Sequence, residues 1–176
     1  MGLNKNTFRI EKYVVLFFLI FIGSSCSISY KFNGASIDYT KTKTISIADF
    51  PNTAELIYPP FSQEFTETLR DTYAKQTRLR LLKKGGNLQL EGSIVGYTLT
   101  PMAISADSYS SETKLTVTIA VRFTNVNNPD DDFEKKYTSY QLFKSSRLLS
   151  EVQDELMKII VLDISEMIYN DTVAKW

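Results

Sequence analysis

TKLTVTIAVRF, residues 113–123, is the clearest strand signal in this chain of 176 residues. Apolar side chains occupy every odd position from Leu115 to Phe123, and polar or small side chains occupy the even positions between them. A period of two with β-branched residues predicts an antiparallel strand with one buried face. We therefore expect a sheet that packs its core against one face only.

The stretches on either side predict the partners of this strand. Asn127 to Asp130 (NNPD) is a turn signal, and residues 133–143 resume a strand pattern, so the two strands form a hairpin. The preceding strand, near residues 88–100, changes the parity of its apolar positions between Ile94 and Val95. One regular strand cannot do this with a single buried face, so a bulge or bend is predicted at Gly92 or Gly96.

Two helices and one further strand complete the prediction. Residues 44–50 alternate as a short strand, and Pro59-Pro60 then opens a helix to about Thr77 with an apolar residue at every fourth position. Ser150 to Gln153 (SEVQ) has the form of a capping box at the start of the last helix. The apolar stripes of the two helices are Phe61, Phe65, Leu69 and Tyr73, and Val152, Leu156, Ile159, Ile160, Ile164, Met167 and Ile168.

This order of elements predicts an α+β fold. The architecture is a two-layer sandwich of two helices packed on a four-stranded, mostly antiparallel sheet.

The N-terminal residues form a different region, since Lys5, Arg9 and Lys12 precede the uncharged apolar run 13–22 and then Gly23-Ser24-Ser25-Cys26. Ten apolar residues are too few for a bilayer core of about 30 Å but suit a signal peptide.

Cys26 stands where a lipoprotein signal peptidase requires a lipid-bearing cysteine. We expect residues 1–25 to be a lipoprotein signal peptide, residues 26–43 a lipidated cysteine and tether, and residues 44–176 a single α+β domain. Gly23 departs from the usual motif, which has an aliphatic residue there. An ordinary cleaved signal with an unrelated cysteine and an uncleaved anchor are the alternatives.

Composition argues against several functions. Without residues 1–25 the chain carries 17 basic and 19 acidic side chains, so no net positive field favours nucleic acid. The chain has no histidine, and Cys26 is its single cysteine. The commonest general base and the thiolate metal ligands are therefore missing, and we predict a protein without catalytic residues, cofactor or metal. The acidic run Asp130–Asp132 lacks the ligand spacing of a calcium loop and is interpreted as a solvated turn.

Two features suggest surfaces for binding. Arg78, Arg80, Lys83 and Lys84 form a basic cluster, with alternation placing both arginines on one side of the chain. Guanidinium and ammonium groups bind phosphate, so this cluster is the candidate contact for a phosphorylated ligand. A charged strand that protects a sheet edge is the alternative interpretation. Exposed tyrosines would suit a partner surface, and the candidates are Tyr109, Tyr137, Tyr140 and Tyr169.

Several short motifs in a fixed order resemble those of the LptE family of lipopolysaccharide-assembly lipoproteins. They follow the candidate lipidated Cys26 and extend over essentially all of the expected mature chain. The motifs are YKFNGASI (30–37), a strand ending in FPN (50–52), FSQEFTE (61–67), GSIVGY (92–97), FTN (123–125), DFE (132–134) and the terminal Trp176.

The resemblance implies a non-enzymatic role at the bacterial outer membrane. Family members plug and help to assemble a large β-barrel, LptD, and they assist lipopolysaccharide transport to the outer leaflet. Ser27 after Cys26 is compatible with sorting to that membrane. A periplasm-facing lipoprotein that binds a lipid, glycan or peptide on its own is the alternative, and a hydrolase built on carboxylates or a Ser/Lys pair is a remote third.

Overall fold

The computed structural model describes residues 37–56, 58–102 and 111–173. Cys26, the expected signal segment and Tyr109 lie outside these residues. The elements in chain order are β1 (Thr44–Ile47), α1 (Pro59–Gln76), β2 (Arg80–Leu82), β3 (Leu88–Pro101), β4 (Glu112–Asn125), a 3₁₀ turn (Pro129–Asp131), β5 (Phe133–Lys144) and α2 (Leu149–Thr172).

Strands β3, β4 and β5 form the antiparallel part that the alternation predicts. Every odd position of β4 from Leu115 to Phe123 is buried. The predicted irregularity in β3 is confirmed, because Ile94 pairs with Ile119 whereas Gly96 pairs with Thr118. Val95 is therefore the extra residue of a bulge, which restores Tyr97 to the core face after the parity change.

The sheet as a whole is mixed, which corrects the prediction of four mostly antiparallel strands. It has five strands in the order β2-β1-β3-β4-β5, and β1 runs parallel to both of its neighbours. The strand missed from the sequence, β2, has three exposed residues and is too short to show a period. The pairing of β1 was missed because a parallel pair depends on a long crossover, here through α1, and leaves no local signal.

The helix start predicted at Pro59 and Pro60 is confirmed, and all four residues of the α1 stripe are buried. The predicted capping box of α2 is wrong. The N-cap is Leu148, without a side-chain cap, and Gln153 instead donates from Nε2 to Tyr97 Oη (2.6 Å). A tertiary partner on β3 thus replaces the local contact that the motif favours.

The buried stripe of α2 differs in part from its prediction. Ile159 is 40% exposed and Met167 only half-buried, whereas Met157 and Val161 are fully buried. The observed buried face of α2 therefore lies slightly to one side of the predicted stripe. Both helices contribute to one core with the odd positions of β4, so the two-layer α+β class is confirmed. None of the helices in the described residues is long and apolar enough to cross a membrane.

A basic groove at the short edge of the sheet

A cavity of about 910 Å³ lies where β1 ends and the chain leaves β2. We call it the basic groove and define it by Arg70, Leu81, Leu82, Lys83 and Lys84, which line it together with parts of β1 and β3. Its charged side chains are three cations and the two carboxylates of Asp49 and Glu91, so its net charge is positive, and Leu81 and Leu82 add partly exposed apolar surface. This composition suits a ligand that has both anionic and apolar parts.

The turn from β2 to β3 places the two lysines at the groove. Gly85 has a φ of +72°, a left-handed conformation that glycine adopts without strain. Gly86 lies against β1, since a Cβ there would come within 2.5 Å of Ser46 N and 2.6 Å of the Ile45 carbonyl carbon. The sequence Gly85-Gly86 therefore lets the chain turn tightly beside β1, with Lys83 and Lys84 just before the turn.

Asn87 fixes the same turn by hydrogen bonds to the start of β1. Its Oδ1 accepts from Lys43 N (3.0 Å) and Thr44 Oγ1 (2.9 Å). Its own N–H donates to Thr44 Oγ1 (2.9 Å), and the Gly86 N–H donates to Ser46 Oγ (3.2 Å). The turn beside the groove is thus held to β1 by side-chain hydrogen bonds.

Arg70 reaches the groove from α1. Its Nη2 donates to the Ile47 carbonyl oxygen and to Asp49 Oδ1, both at 2.8 Å. Asp49 therefore balances much of the arginine charge. Neither Lys83 nor Lys84 appears in any salt bridge among the described residues, and both are exposed. These two ammonium groups are the charges that the groove offers to an incoming anion.

The structure divides the basic cluster predicted from the sequence. Lys83 and Lys84 line the groove, whereas Arg78 and Arg80 are exposed but are not among its lining residues. The edge-protection interpretation also stays open, because β2 is an edge strand. Sequence reasoning missed Arg70, which lies on a helix far from the cluster and carries no local pattern that points to it.

The other sequence candidates have different surroundings. Tyr137, expected on a partner surface, is only 3% exposed, and burial followed by its hydrogen bond to Asp171 (2.8 Å) raises its pKa. Tyr140 is 55% exposed and Tyr169 half-buried.

The acidic run of the β4–β5 turn has a structural role. Asp131 and Asp132 accept hydrogen bonds from Asn125, at 2.9 and 2.7 Å. No group of three metal-ligating side chains occurs in the described residues.

Comparison with known proteins gives the family. The model of the LptE family, described as lipopolysaccharide-assembly, matches residues 42–172. No curated protein sequence matches the chain. Among solved structures, a minor lipoprotein from Acinetobacter baumannii is 14% identical, with a TM-score of 0.50 over 76% of this chain and 94% of that one.

Two other solved structures are less similar in fold. Lipoprotein B from Nitrosomonas europaea is 17% identical, with a TM-score of 0.46 over 76% of this chain and 83% of that one. The rare lipoprotein B from Shewanella oneidensis is 9% identical, with a TM-score of 0.43 over 73% and 90%. At 14% identity the Acinetobacter structure bears on the fold alone, whereas the family model covers nearly all of the folded domain. The chain belongs to the LptE family of lipopolysaccharide-assembly proteins.

Proposed function

We propose that this chain is a non-enzymatic outer-membrane lipoprotein that plugs and helps to assemble a large LptD-like β-barrel. In that position it assists the transport of lipopolysaccharide to the outer leaflet. The observation that carries the proposal is the family match over residues 42–172, which includes every strand and helix of the described domain.

The face of the sheet opposite the helices suits a barrel lumen. On β4 it carries Lys114, Thr116, Thr118 and Arg122, and β5 adds Thr138 beside Thr118. These side chains are polar and remain at least partly exposed. The interior of an outer-membrane barrel is polar, so this mainly polar face, which also exposes Tyr140 and Leu142 of β5, can lie against it. This complementarity supports the plugging role.

The basic groove is the proposed contact for lipopolysaccharide. A phosphorylated glycolipid offers phosphate groups and acyl chains, and the groove offers the ammonium groups of Lys83 and Lys84 beside Leu81 and Leu82. Arg78 and Arg80 would add positive charge close by in the chain without lining the groove.

Cys26 is the proposed lipid attachment site, after removal of residues 1–25 as a signal peptide. Two or more acyl chains would give stable anchoring, whereas a single chain gives only marginal binding. Mass spectrometry of the mature N-terminus tests the assignment. The expected result is an acylated cysteine at position 26, and an unmodified Cys26 or an intact Met1 would contradict it.

A pull-down tests the barrel partner. The full chain, tagged at its C-terminus, is purified from outer membranes solubilised in mild detergent. We expect an outer-membrane β-barrel protein in stoichiometric amount, and we expect loss of the assembled barrel when the chain is depleted. Purification of the chain without a barrel protein would overturn the proposed partnership.

Matched charge removals test the groove. Lys83→Ser/Lys84→Ser and Arg78→Ser/Arg80→Ser remove the same charge, but only the first pair lines the cavity. The lysine variant should bind purified lipopolysaccharide about tenfold more weakly, as expected for the loss of a charged hydrogen bond, and the arginine variant should change far less. Equal losses would indicate a diffuse charge effect, and unchanged binding in both would remove the cluster from the ligand site.

The alternative function is ligand binding without a barrel, and one observation favours it. The groove is as large as a typical small-molecule pocket, and residues of a single chain form it. Under this alternative, the purified chain binds a lipid, glycan or peptide at the groove while the pull-down yields no barrel. Recovery of the barrel, with no binding by the chain alone, would exclude it.

A further inference from the structure

Arg70 differs from Lys83 and Lys84 in the basic groove, because its guanidinium group already has two partners. Its Nη2 atom donates to the Ile47 carbonyl oxygen and to Asp49 Oδ1, both at 2.8 Å. Nη2 carries two hydrogens, and these bonds use both of them. Within the part of the chain that the structure describes, Nε and Nη1 of Arg70 form no further hydrogen bond. These two atoms remain for a ligand.

The geometry of the guanidinium group decides what the remaining atoms can bind. Arginine holds a phosphate or a carboxylate best through a fork of two parallel N–H bonds. One fork consists of Nε and Nη2 and the other of Nη1 and Nη2, so both forks need a hydrogen of Nη2. While Nη2 bonds to Ile47 and Asp49, Arg70 offers an incoming anion only single hydrogen bonds. A bidentate contact requires that one of these two partners leaves.

Asp49 is the partner that a ligand can replace. Its side chain is 87% exposed, so water can take the place of the guanidinium group, and an exposed ion pair of this kind adds little stability. Ile47 is 1% exposed, so its carbonyl oxygen has little access to water and would be left without this donor. The bond to Ile47 therefore keeps Arg70 at the groove after Asp49 has moved away.

We propose that Asp49 is an internal competitor for Arg70 and makes the basic groove selective for phosphate over carboxylate groups. The inference rests on the proposed role of the groove as the contact for lipopolysaccharide. A phosphate group that enters the groove replaces Asp49 on one fork of Arg70, while the bond to Ile47 stays. Lys83 and Lys84 line the same cavity, so their ammonium groups attract the same anion.

The selectivity follows from the covalent chain that holds Asp49 beside Arg70. A carboxylate in the same chain competes at an effective concentration on the order of millimolar or more. A ligand carboxylate would only exchange one such group for another of the same charge. A phosphate monoester carries about −1.5 to −2 charge at neutral pH, so it attracts the cations of the groove more strongly than a carboxylate does. Glu91 also lines the groove and adds to the repulsion of weakly charged anions.

A double-mutant cycle tests the proposal with the full chain in non-ionic detergent and purified lipopolysaccharide as the probe. Asp49→Asn should bind the probe about threefold more tightly, and Arg70→Gln about fivefold more weakly. In the Arg70→Gln background, Asp49→Asn should give no comparable gain. An equal gain in both backgrounds would mean that Asp49 only repels anions and would overturn the proposal.

Asp71→Asn is the matched control for the removed carboxylate. Asp71 lies on the same helix as Arg70 and pairs with Lys75 at 2.9 Å, but neither residue lines the groove. Its affinity for lipopolysaccharide should equal that of the wild type. A gain as large as that of Asp49→Asn would assign the effect to the net charge of the chain and overturn the proposal.

Two small amphiphiles, hexyl phosphate and hexanoate, test the selectivity by isothermal titration calorimetry. The wild type should bind hexyl phosphate about tenfold more tightly than hexanoate, and Asp49→Asn should reduce this ratio, because its Arg70 fork is open to either anion. Inorganic phosphate distinguishes a free anion from a headgroup and should bind more weakly than hexyl phosphate, since it cannot contact Leu81 and Leu82. An unchanged ratio in Asp49→Asn would overturn the proposal.

The lysine variant separates this inference from the proposed function. If Lys83→Ser/Lys84→Ser weakens lipopolysaccharide binding while Asp49→Asn binds as the wild type does, the inference fails and the groove remains the ligand contact. If neither the lysine variant nor Arg70→Gln changes binding, the groove is not the contact and both ideas fail.

Discussion

The antiparallel and parallel halves of the sheet are built differently. The antiparallel half, β3–β4–β5, has strands of 14, 14 and 12 residues that follow one another in the chain. The parallel half, β2–β1 with the start of β3, has strands of three and four residues that a helix separates in the chain. The first carries a full row of buried side chains, whereas the second forms one wall of the basic groove.

This difference indicates that the antiparallel half supplies most of the stability of the domain, whereas the parallel half supplies the proposed binding surface. β4 buries five odd positions against the helices, at roughly 1.5–3 kcal/mol for each large apolar side chain. The parallel half also buries Ile45 and Ile47 of β1, but its edge strand β2 has only three residues, all exposed, and its turn depends on single contacts from Gly86 and Asn87. We therefore expect the parallel half to open at lower cost, which would let the groove adapt to a ligand while the antiparallel half stays folded.

The largest expected effect contrasts a core residue of β4 with an exposed residue of the edge strand β2. Phe123→Ala in β4 removes a ring that is 1% exposed, and we expect it to lower the free energy of unfolding by about 3–5 kcal/mol. Leu82→Ala in β2 removes a side chain that is 40% exposed, and we expect a change of about 0.5 kcal/mol or less. Urea denaturation followed by circular dichroism measures both. Similar losses in the two variants would refute the division of stability.

Gly86→Ala should produce the next largest effect, at the turn beside β1. Its Cβ would collide with the β1 backbone at 2.5 Å from Ser46 N, and backbone atoms cannot move aside as a flexible side chain can. We expect a loss of about 1–3 kcal/mol and faster amide exchange in β1 than in β4. Gly85→Asn is the control, since asparagine tolerates a positive φ and nothing lies within 4 Å of the added Cβ. Equal losses in the two variants would contradict the close packing at Gly86.

Asn87→Ala should have a smaller effect on the same half. The variant leaves the Lys43 N–H and the Thr44 hydroxyl without their acceptor, at a cost of about 1 kcal/mol. Asn87→Asp keeps an oxygen at the accepting position and should retain most of the stability. Differential scanning calorimetry compares the two variants. An aspartate variant as unstable as the alanine variant would mean that the accepting oxygen is not what holds the turn.

The sequence predicts the two halves unequally, for a physical reason. The antiparallel half follows from alternation in residues 113–123 and from the parity change near Gly96, both local signals. The parallel half depends on the crossover through α1, and β2 is too short to have a pattern. The groove residues also differ in how well the sequence predicts them. Lys83 and Lys84 form a cluster in the sequence, whereas Arg70 joins them only through tertiary packing.

The pH dependence of Tyr137 is the smallest effect and probes how the antiparallel half is bound to α2. Its hydroxyl donates to Asp171, and burial together with this carboxylate raises the tyrosine pKa above its usual value of 10.0. The folded state therefore holds the proton more tightly than the unfolded state does. This contribution to stability is complete below about pH 10 and is lost as the pH rises from there toward the folded pKa.

Tyr137→Phe should lower stability at pH 7 by about 1 kcal/mol, through the lost hydrogen bond. It should also make the decline in stability above pH 10 less steep than in the wild type, because a phenylalanine has no proton to lose. Tyr140→Phe, at an exposed position on the same strand, is the matched control and should leave the decline unchanged. Urea titrations at a series of pH values from neutral to strongly alkaline measure all three proteins. If the two variants decline alike, the Tyr137–Asp171 contact does not couple β5 to α2, and the Lys135–Asp171 ion pair, the Ser139–Asp163 hydrogen bond and apolar burial join the two elements instead.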